Sequence, residues 1–335
     1  ADETTLLGSV GAHLQRNFMP YGLVAAICVS VVEPRIGCKV HALRLHKLSA
    51  PGIFLISGLM LKLGEVKRAL KSPLPLLLGL CTISLVLPLS AQLALRWPFL
   101  SQDLVYGMAI FLCMPTALST GVQICTHYGG NPALALMLTV GSNLLSIATI
   151  PFFVSYVLAQ GSEIKLSVDA FVLFKSLVKS ILVPMLAGVA LRSKVPRVTE
   201  WVDANKKALS MVSASLLISV PLAELSSSVA KGLTLLPSEL AQVAALGVCF
   251  PAAFMAFNAV TTRCFLGGLP QDIRKTLVIV CSLKTLPSAV MVVQKMQEIV
   301  PTLSGAALVP CMMFHIIQTL LISAAASGAS PAKQV

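Results

Sequence analysis

The sequence predicts an all-α membrane protein of ten transmembrane helices, arranged as two five-helix repeats of opposite orientation. Three observations carry this. Hydrophobic residues make up 56% of the 335 residues and charged residues only 11%, with a mean hydropathy of +0.87, whereas a soluble domain is nearer one quarter charged. Apolar runs of about 20 residues, the length that crosses a bilayer as a helix, recur along the whole chain. Two of these runs, the fourth and the ninth, are interrupted by proline among hydroxyl residues. They lie five spans apart, and because five is odd, a second five-span repeat inserts upside down relative to the first.

The first span, Phe18–Val32, is ended by Glu33-Pro34. The second, Ala50–Leu63, is short, with Gly52 and Gly58 as close-packing positions. The third, Pro73–Leu95, carries Pro88, and the fourth, Leu104–Thr126, breaks at Pro115. The fifth, Pro132–Leu158, starts after Gly129-Gly130-Asn131, and a polar link, Gln160–Ser167, follows it. The remaining spans are Ala170–Leu191, Ala208–Leu225, Leu240–Thr262, Thr276–Val293 and Gly305–Ala325. Residues 1–335 thus read as a single transmembrane unit, with repeat 1 at about 18–158 and repeat 2 at about 168–326. The first and sixth spans carry a weak likeness, Leu23-Val24 with Glu33-Pro34 against Leu182-Val183 with Val195-Pro196.

The net charge of +12 does not point to nucleic acid, because Lys and Arg cluster in short loops between spans without interleaved aromatics. There they orient the protein and meet anionic head groups. With ten spans both termini share one side; that side carries fourteen basic residues and the other eight, which puts the termini in the cytosol or a plastid stroma. Nine cysteines show neither metal spacing nor a disulfide framework. No nucleophile elbow, zinc-protease helix or phosphate loop is present, so the chain reads as no enzyme. It begins at Ala1 with a mildly acidic segment that is neither a signal nor a transit peptide; a removed presequence and a trimmed chain are the two readings.

The chemistry gathers at the two interruptions. In the fourth span Pro115 frees backbone carbonyls, and Thr116, Ser119, Thr120 and Gly121 crowd the break. Hydroxyls and unpaired carbonyls suit a small cation or a carboxylate, and such backbone is tolerated at membrane depth only where protein or a water-filled cavity satisfies it. In the ninth span Lys284 lies midway along the run, with Ser282, Thr285, Pro287 and Ser288 around it. A charge at that depth faces a cavity or a partner, and two half-helix N-termini add partial positive charge. An anionic substrate group or a proton cycle fits. The blander readings are a proline kink healed by Ser and Thr and a snorkelling lysine. His315 in the last span reads first as a packing hydrogen-bonder and second as a proton relay. Lys175 and Lys179 in the sixth span read as snorkelling, and Asn143 and Asn258 as interhelical hydrogen-bonders.

These residues carry a resemblance. Ser57-Gly58-Leu59-x-Leu61-Lys62, Cys113-Met114-Pro115 with Ser119-Thr120, Gly129-Gly130-Asn131-x-Ala133-Leu134-Ala135, and Ser282-x-Lys284-Thr285-Leu286-Pro287-x-Ala289-Val290 are similar to the bile acid:sodium symporter family. The nearest branch is that of sodium–bile-acid-cotransporter-like proteins of bacteria, plant plastids and animals. The resemblance implies a panel domain of spans 1, 2, 6 and 7 and a core domain of spans 3–5 and 8–10, with helices 4 and 9 crossing. It implies organic-anion substrates in the cleft between panel and core, sodium behind the crossing, and alternating access. In sodium-driven members helix 4 has a Ser-Asn pair where Thr120 and Gly121 stand here. Their Glu-x-Gly-x-Gln-Asn run in helix 9 aligns with Val280, Ser282, Lys284 and Thr285. A third-span glutamine falls near Ile83, beside Thr82 and Ser84. The fifth-span threonine is kept as Thr139, and His315 matches a histidine of the last helix.

Two readings of coupling follow. Lys284 replaces sodium as a fixed or protonatable charge, making transport sodium-independent or proton-linked, or sodium binds through Ser119, Thr120, Thr139 and backbone carbonyls. The expected function is a secondary transporter of small organic anions, without a cofactor beyond Na+ or H+ coupling, partnered by the lipid bilayer and not by nucleic acid. Its expected place is a plastid envelope, with a bacterial or other cell membrane as the alternative. The alternative functions are a membrane regulator of ion homeostasis without vectorial transport and a cation/proton antiporter.

Overall fold

In lipid, each backbone polar group has to be satisfied within the chain, which leaves helices as the way an apolar run can cross. The computed structural model describes residues 18–43, 45–61, 73–117, 120–160, 169–265, 267–300 and 302–328, and among them every regular element is helical. In chain order these are α1 (Phe18–Val32), α2 (Pro34–Ala42), α3 (Leu45–Met60) and α4 (Pro73–Leu95). Next come α5 (Gln102–Leu112), α6 (Thr120–His127), α7 (Pro132–Gln160) and α8 (Ala170–Lys194). The last are α9 (Pro196–Ala204), α10 (Lys206–Ala230), α11 (Pro237–Phe265), α12 (Gln271–Ser282), α13 (Leu286–Ile299) and α14 (Leu308–Gly328).

Among the described residues, seven stretches are long and apolar enough to cross a membrane: α4, α7, α8, α10, α11, the α12–α13 pair and α14. Three shorter apolar helices, Phe18–Val32, Leu48–Met60 and Gln102–Leu112, fall where the first, second and fourth spans are expected. Lys62 and Leu63 at the end of the second expected span, and residues 161–167 of the polar link, lie outside the described residues. Sequence reading leaves α2 and α9 as loops. Each is a nine-residue helix with proline in its first turn, where the missing N–H is one the helix does not use.

The chain divides into two compact units. One holds α1, α2, α3, the second half of α8, α9 and α10; the other holds α4–α7, the first half of α8 and α11–α14. In α8 the division falls at Leu182/Val183, the end of a π-helical turn, Val178–Leu182.

In the first unit α10 packs on α1, α2 and α3, and α3 packs on α8. The α3–α8 contact depends on two glycines. A Cβ on Gly58 would stand 2.1 Å from the Met185 carbonyl oxygen, and one on Gly188 would stand 2.3 Å from that of Leu55. Without a hydrophobic drive between helices in lipid, such close backbone approach supplies the attraction. Just beyond it Arg192, buried, donates from Nη1 to the Leu59 carbonyl at 2.7 Å and from Nη2 to both Asp203 carboxylate oxygens at 2.9 Å. This ties the end of α3 and the end of α8 to α9.

Asp203 lies on α9, between the spans. The hydrogen bond from the Arg192 guanidinium and then that from the Lys206 ammonium hold its carboxyl down at about 2. A depressed carboxylate contributes stability above the ordinary carboxylate range near ~3.9, and the contribution is lost as pH falls through the lowered value. Asp203→Asn is expected to remove the slope of stability across that acid window and to leave the neutral-to-alkaline profile unchanged in shape. Helical signal against pH in detergent measures it.

In the second unit α4 is not one regular helix. It runs α-helical to Cys81, π-helical over Thr82–Val86 and 3₁₀ over Leu87–Ser90. Pro88 sets this sequence: the Leu87 N–H reaches back five residues to the Thr82 carbonyl, and Pro88, next along, has no N–H to give to Ile83. The α12–α13 stretch is the most enclosed, with 89% of its apolar window buried against 22% for α8.

Candidate functional site

The ninth span opens over three residues. α12 ends at Ser282, α13 begins at Leu286, and Leu283 and Thr285 between them are extended. Sequence reading places the disruption at Pro287. The structure puts it upstream, because Pro287 sits in the first turn of α13, where its ring is preorganised for helix. Three backbone groups of the unwound link are bonded across to other elements. The Lys284 N–H donates to Gln318 Oε1 at 3.0 Å, Gln318 Nε2 donates to the Lys284 carbonyl at 2.6 Å, and the Thr285 N–H donates to the Pro115 carbonyl at 2.9 Å.

The fourth span opens between α5 and α6, and its described residues Cys113–Ala117 are all buried. The Thr116 hydroxyl donates to the Val280 carbonyl at 2.6 Å. Asn143 Nδ2 donates to the Thr116 carbonyl at 2.9 Å and to the Thr139 carbonyl at 2.8 Å. The two breaks therefore meet through backbone and hydroxyl bonds, and each is also held by one carboxamide, Asn143 on α7 for the fourth and Gln318 on α14 for the ninth.

Lys284 lies at this junction, 1% exposed. Its Nζ donates to the Met114 carbonyl at 2.8 Å and the Ile83 carbonyl at 3.4 Å, and stands 5.9 Å from the centre of the Phe254 ring. Ile83 lies five residues before Pro88, which has no N–H to offer its carbonyl. Met114 is just past the C-terminus of α5, the negative end of that helix dipole. Among the described residues no carboxylate pairs with Lys284. The ammonium is held by carbonyl oxygens and a ring face, the kind of setting that otherwise holds a bare monovalent cation.

The structure thus draws together Pro115, Thr116, Ser282, Lys284 and Thr285. Ser282 donates to the Val278 carbonyl and accepts from Asn258 Nδ2 at 3.0 Å. Gly121 faces the link, where an added Cβ would touch Leu283 at 3.5 Å. Thr139 joins through Asn143, its own hydroxyl donating to the Ala135 carbonyl at 2.7 Å. His315 joins through Gln318, with Nδ1 3.3 Å from Nε2. Among the described residues no hydrogen bond ties Thr120 or Ser288 to this cluster, and Pro287 contributes through the helix start alone. Ser119 lies outside the described residues.

Lys175 and Lys179 are exposed, Lys175 resting on the Phe171 ring at 4.4 Å. The Gly129-Gly130-Asn131 motif does structural work: Gly129 is left-handed at φ 73°, and Asn131 caps α7 through the Leu134 N–H while bonding Thr276 and Asp272 of α12. Sequence reading misses Gln318 altogether. The available signal is a carboxamide in an apolar span, one turn from His315.

A multi-span helical protein whose polar centre forms where two interrupted helices meet has the architecture of a secondary transporter. The comparison with known proteins agrees. The chain belongs to the SBF-like CPA transporter family, whose model matches residues 17–329, and so to the bile acid:sodium symporter kin that its motifs resemble; these are transporters, not enzymes. It is 36% identical over 328 residues to "Probable sodium/metabolite cotransporter BASS4, chloroplastic" of Oryza sativa subsp. japonica, covering 94% of this chain and 77% of that protein. The Arabidopsis thaliana protein of that description is 35% identical over 314 residues, covering 92% and 71%. "Sodium/bile acid cotransporter 7" of Rattus norvegicus is 26% identical over 216 residues, covering 62% and 61%.

Proposed function

We propose that this protein carries small organic anions across a plastid envelope by alternating access, with Lys284 as a built-in cation in the place where sodium-driven relatives hold an ion. The observation that carries the reading is the buried seat of the Lys284 ammonium on the Met114 and Ile83 carbonyls, with no carboxylate paired to it among the described residues. A net positive junction favours an anionic substrate, and a resident charge makes sodium unnecessary or leaves a proton as the coupling ion. Relatives described as chloroplastic sodium/metabolite cotransporters support the plastid and the metabolite class.

The ten-helix inverted repeat belongs to this proposal. Its support is threefold: the paired breaks, the paired carboxamides Asn143 and Gln318, and the paired proline-led helices α2 and α9 that follow the first and sixth spans. The panel and core grouping of spans is supported by the membership of the two units.

A second reading keeps sodium, bound through Ser119, Thr120, Thr139 and backbone carbonyls. The sodium in the relatives' descriptions favours it. The transport proposal is tested in proteoliposomes with a panel of labelled carboxylates and sulfonates, taurocholate among them. Uptake of at least one, accelerated by the same anion inside, is expected. A protein acting as a regulator, or an antiporter of cations and protons, would move none.

A further inference from the structure

We infer that Gln318 is the positioning residue that seats Lys284, acting through the backbone of the unwound link rather than through the ammonium. The inference rests on the reading of Lys284 as the built-in cation. Lys284 lies in a stretch with no helix to fix its direction, so something else has to fix it. One amide does both halves: Gln318 Oε1 accepts from the Lys284 N–H at 3.0 Å and Gln318 Nε2 donates to the Lys284 carbonyl at 2.6 Å. This closes a ring of two bonds across one residue, as a neighbouring strand would, and sets the plane in which the side chain leaves the link. The side chain then reaches Met114 and Ile83.

The amide is itself fixed. Gln318 is 1% exposed, and the second hydrogen on Nε2 points to His315 Nδ1 at 3.3 Å. With the imidazole proton on Nε2, His315 Nδ1 accepts this hydrogen, and the contact is then compatible with the amide orientation that suits Lys284. A flipped amide would set donor against donor at Lys284. Among the described residues, Asn143 holds the fourth-span break by a bond to the Thr116 carbonyl, whereas Gln318 holds both the N–H and the carbonyl of the residue that carries the charge.

The experiment compares thermal stability in sodium chloride and in choline chloride at equal ionic strength. Lys284→Gln vacates the carbonyl seat and is expected to gain a sodium-dependent rise of roughly 3 °C or more at saturating salt. Gln318→Leu keeps the lysine but releases its backbone, and is expected to gain a sodium response of the same sign. Asn131→Ala, which loses the half-buried side-chain bond to Asp272 and the cap of α7, is expected to melt lower with no sodium response. Lys284→Gln/Gln318→Leu is expected to respond no more than Lys284→Gln alone. If Lys284→Gln responds and Gln318→Leu does not, positioning by Gln318 is overturned while the built-in cation stands. If Lys284→Gln does not respond, the built-in cation falls and this inference with it. Gln318→Met, of similar volume, replaces Gln318→Leu should the latter fail to fold.

Discussion

Lys284→Ala is expected to reduce organic-anion uptake by roughly two orders of magnitude or more while leaving a folded protein. Truncating one partner of a buried, hydrogen-bonded charge costs about 2–5 kcal/mol in recognition, and each ~1.4 kcal/mol is tenfold. The alanine also leaves the Met114 carbonyl without its donor, and an orphaned buried acceptor costs about 1–3 kcal/mol of stability. Opposing that loss, the desolvation of a buried ammonium disappears with the ammonium. The two effects on stability oppose each other and those on transport do not, so flux falls much further than the melting temperature. Initial uptake rates beside a melting curve of the same preparation check this. Unchanged flux would place function away from the junction.

The second large effect is on folding. Gly58→Val and Gly188→Val are each expected to abolish accumulation of properly folded protein, or to lower its melting temperature severely. The Cβ of either residue would fall 2.1–2.3 Å from a carbonyl oxygen of the facing helix, and the obstacle is backbone, which cannot rotate aside. Separating α3 from α8 loses the contact along both helices and strains the Arg192 bond to the Leu59 carbonyl. Overpacking costs about 1–3 kcal/mol where side chains can yield, so more is expected here. Gly52→Ala, whose added Cβ meets only the end of Leu216 at 3.0 Å, is expected to be tolerated. Fluorescence-detected size exclusion of the three variants measures the contrast.

What was legible in the sequence was what the bilayer penalises. Lys284 and Pro115 stand out because an apolar run has no reason to hold a charge or to break, and the end of the first span at Val32 follows from where apolar residues stop. What was not legible depends on contacts between distant residues or on very short elements. Gln318 reads as an ordinary amide in an apolar span, and only the fold places it against Lys284, 34 residues earlier. The proline of the ninth span misled by about one turn, because proline opens a helix as readily as it breaks one. The helices α2 and α9 are too short for periodicity to separate them from loops. The Ile83 carbonyl carries no side-chain signal beyond Pro88, five residues on, which has no N–H to offer it.

The central claim is that the Lys284 ammonium occupies the cation's place. The most direct measurement is the melting temperature and anion uptake of the unmodified protein in sodium against choline at fixed ionic strength and pH. Equal melting temperatures and equal uptake rates in the two salts are predicted. A sodium-dependent rise in melting temperature together with faster uptake would contradict the claim and return the site to Ser119, Thr120, Thr139 and backbone carbonyls.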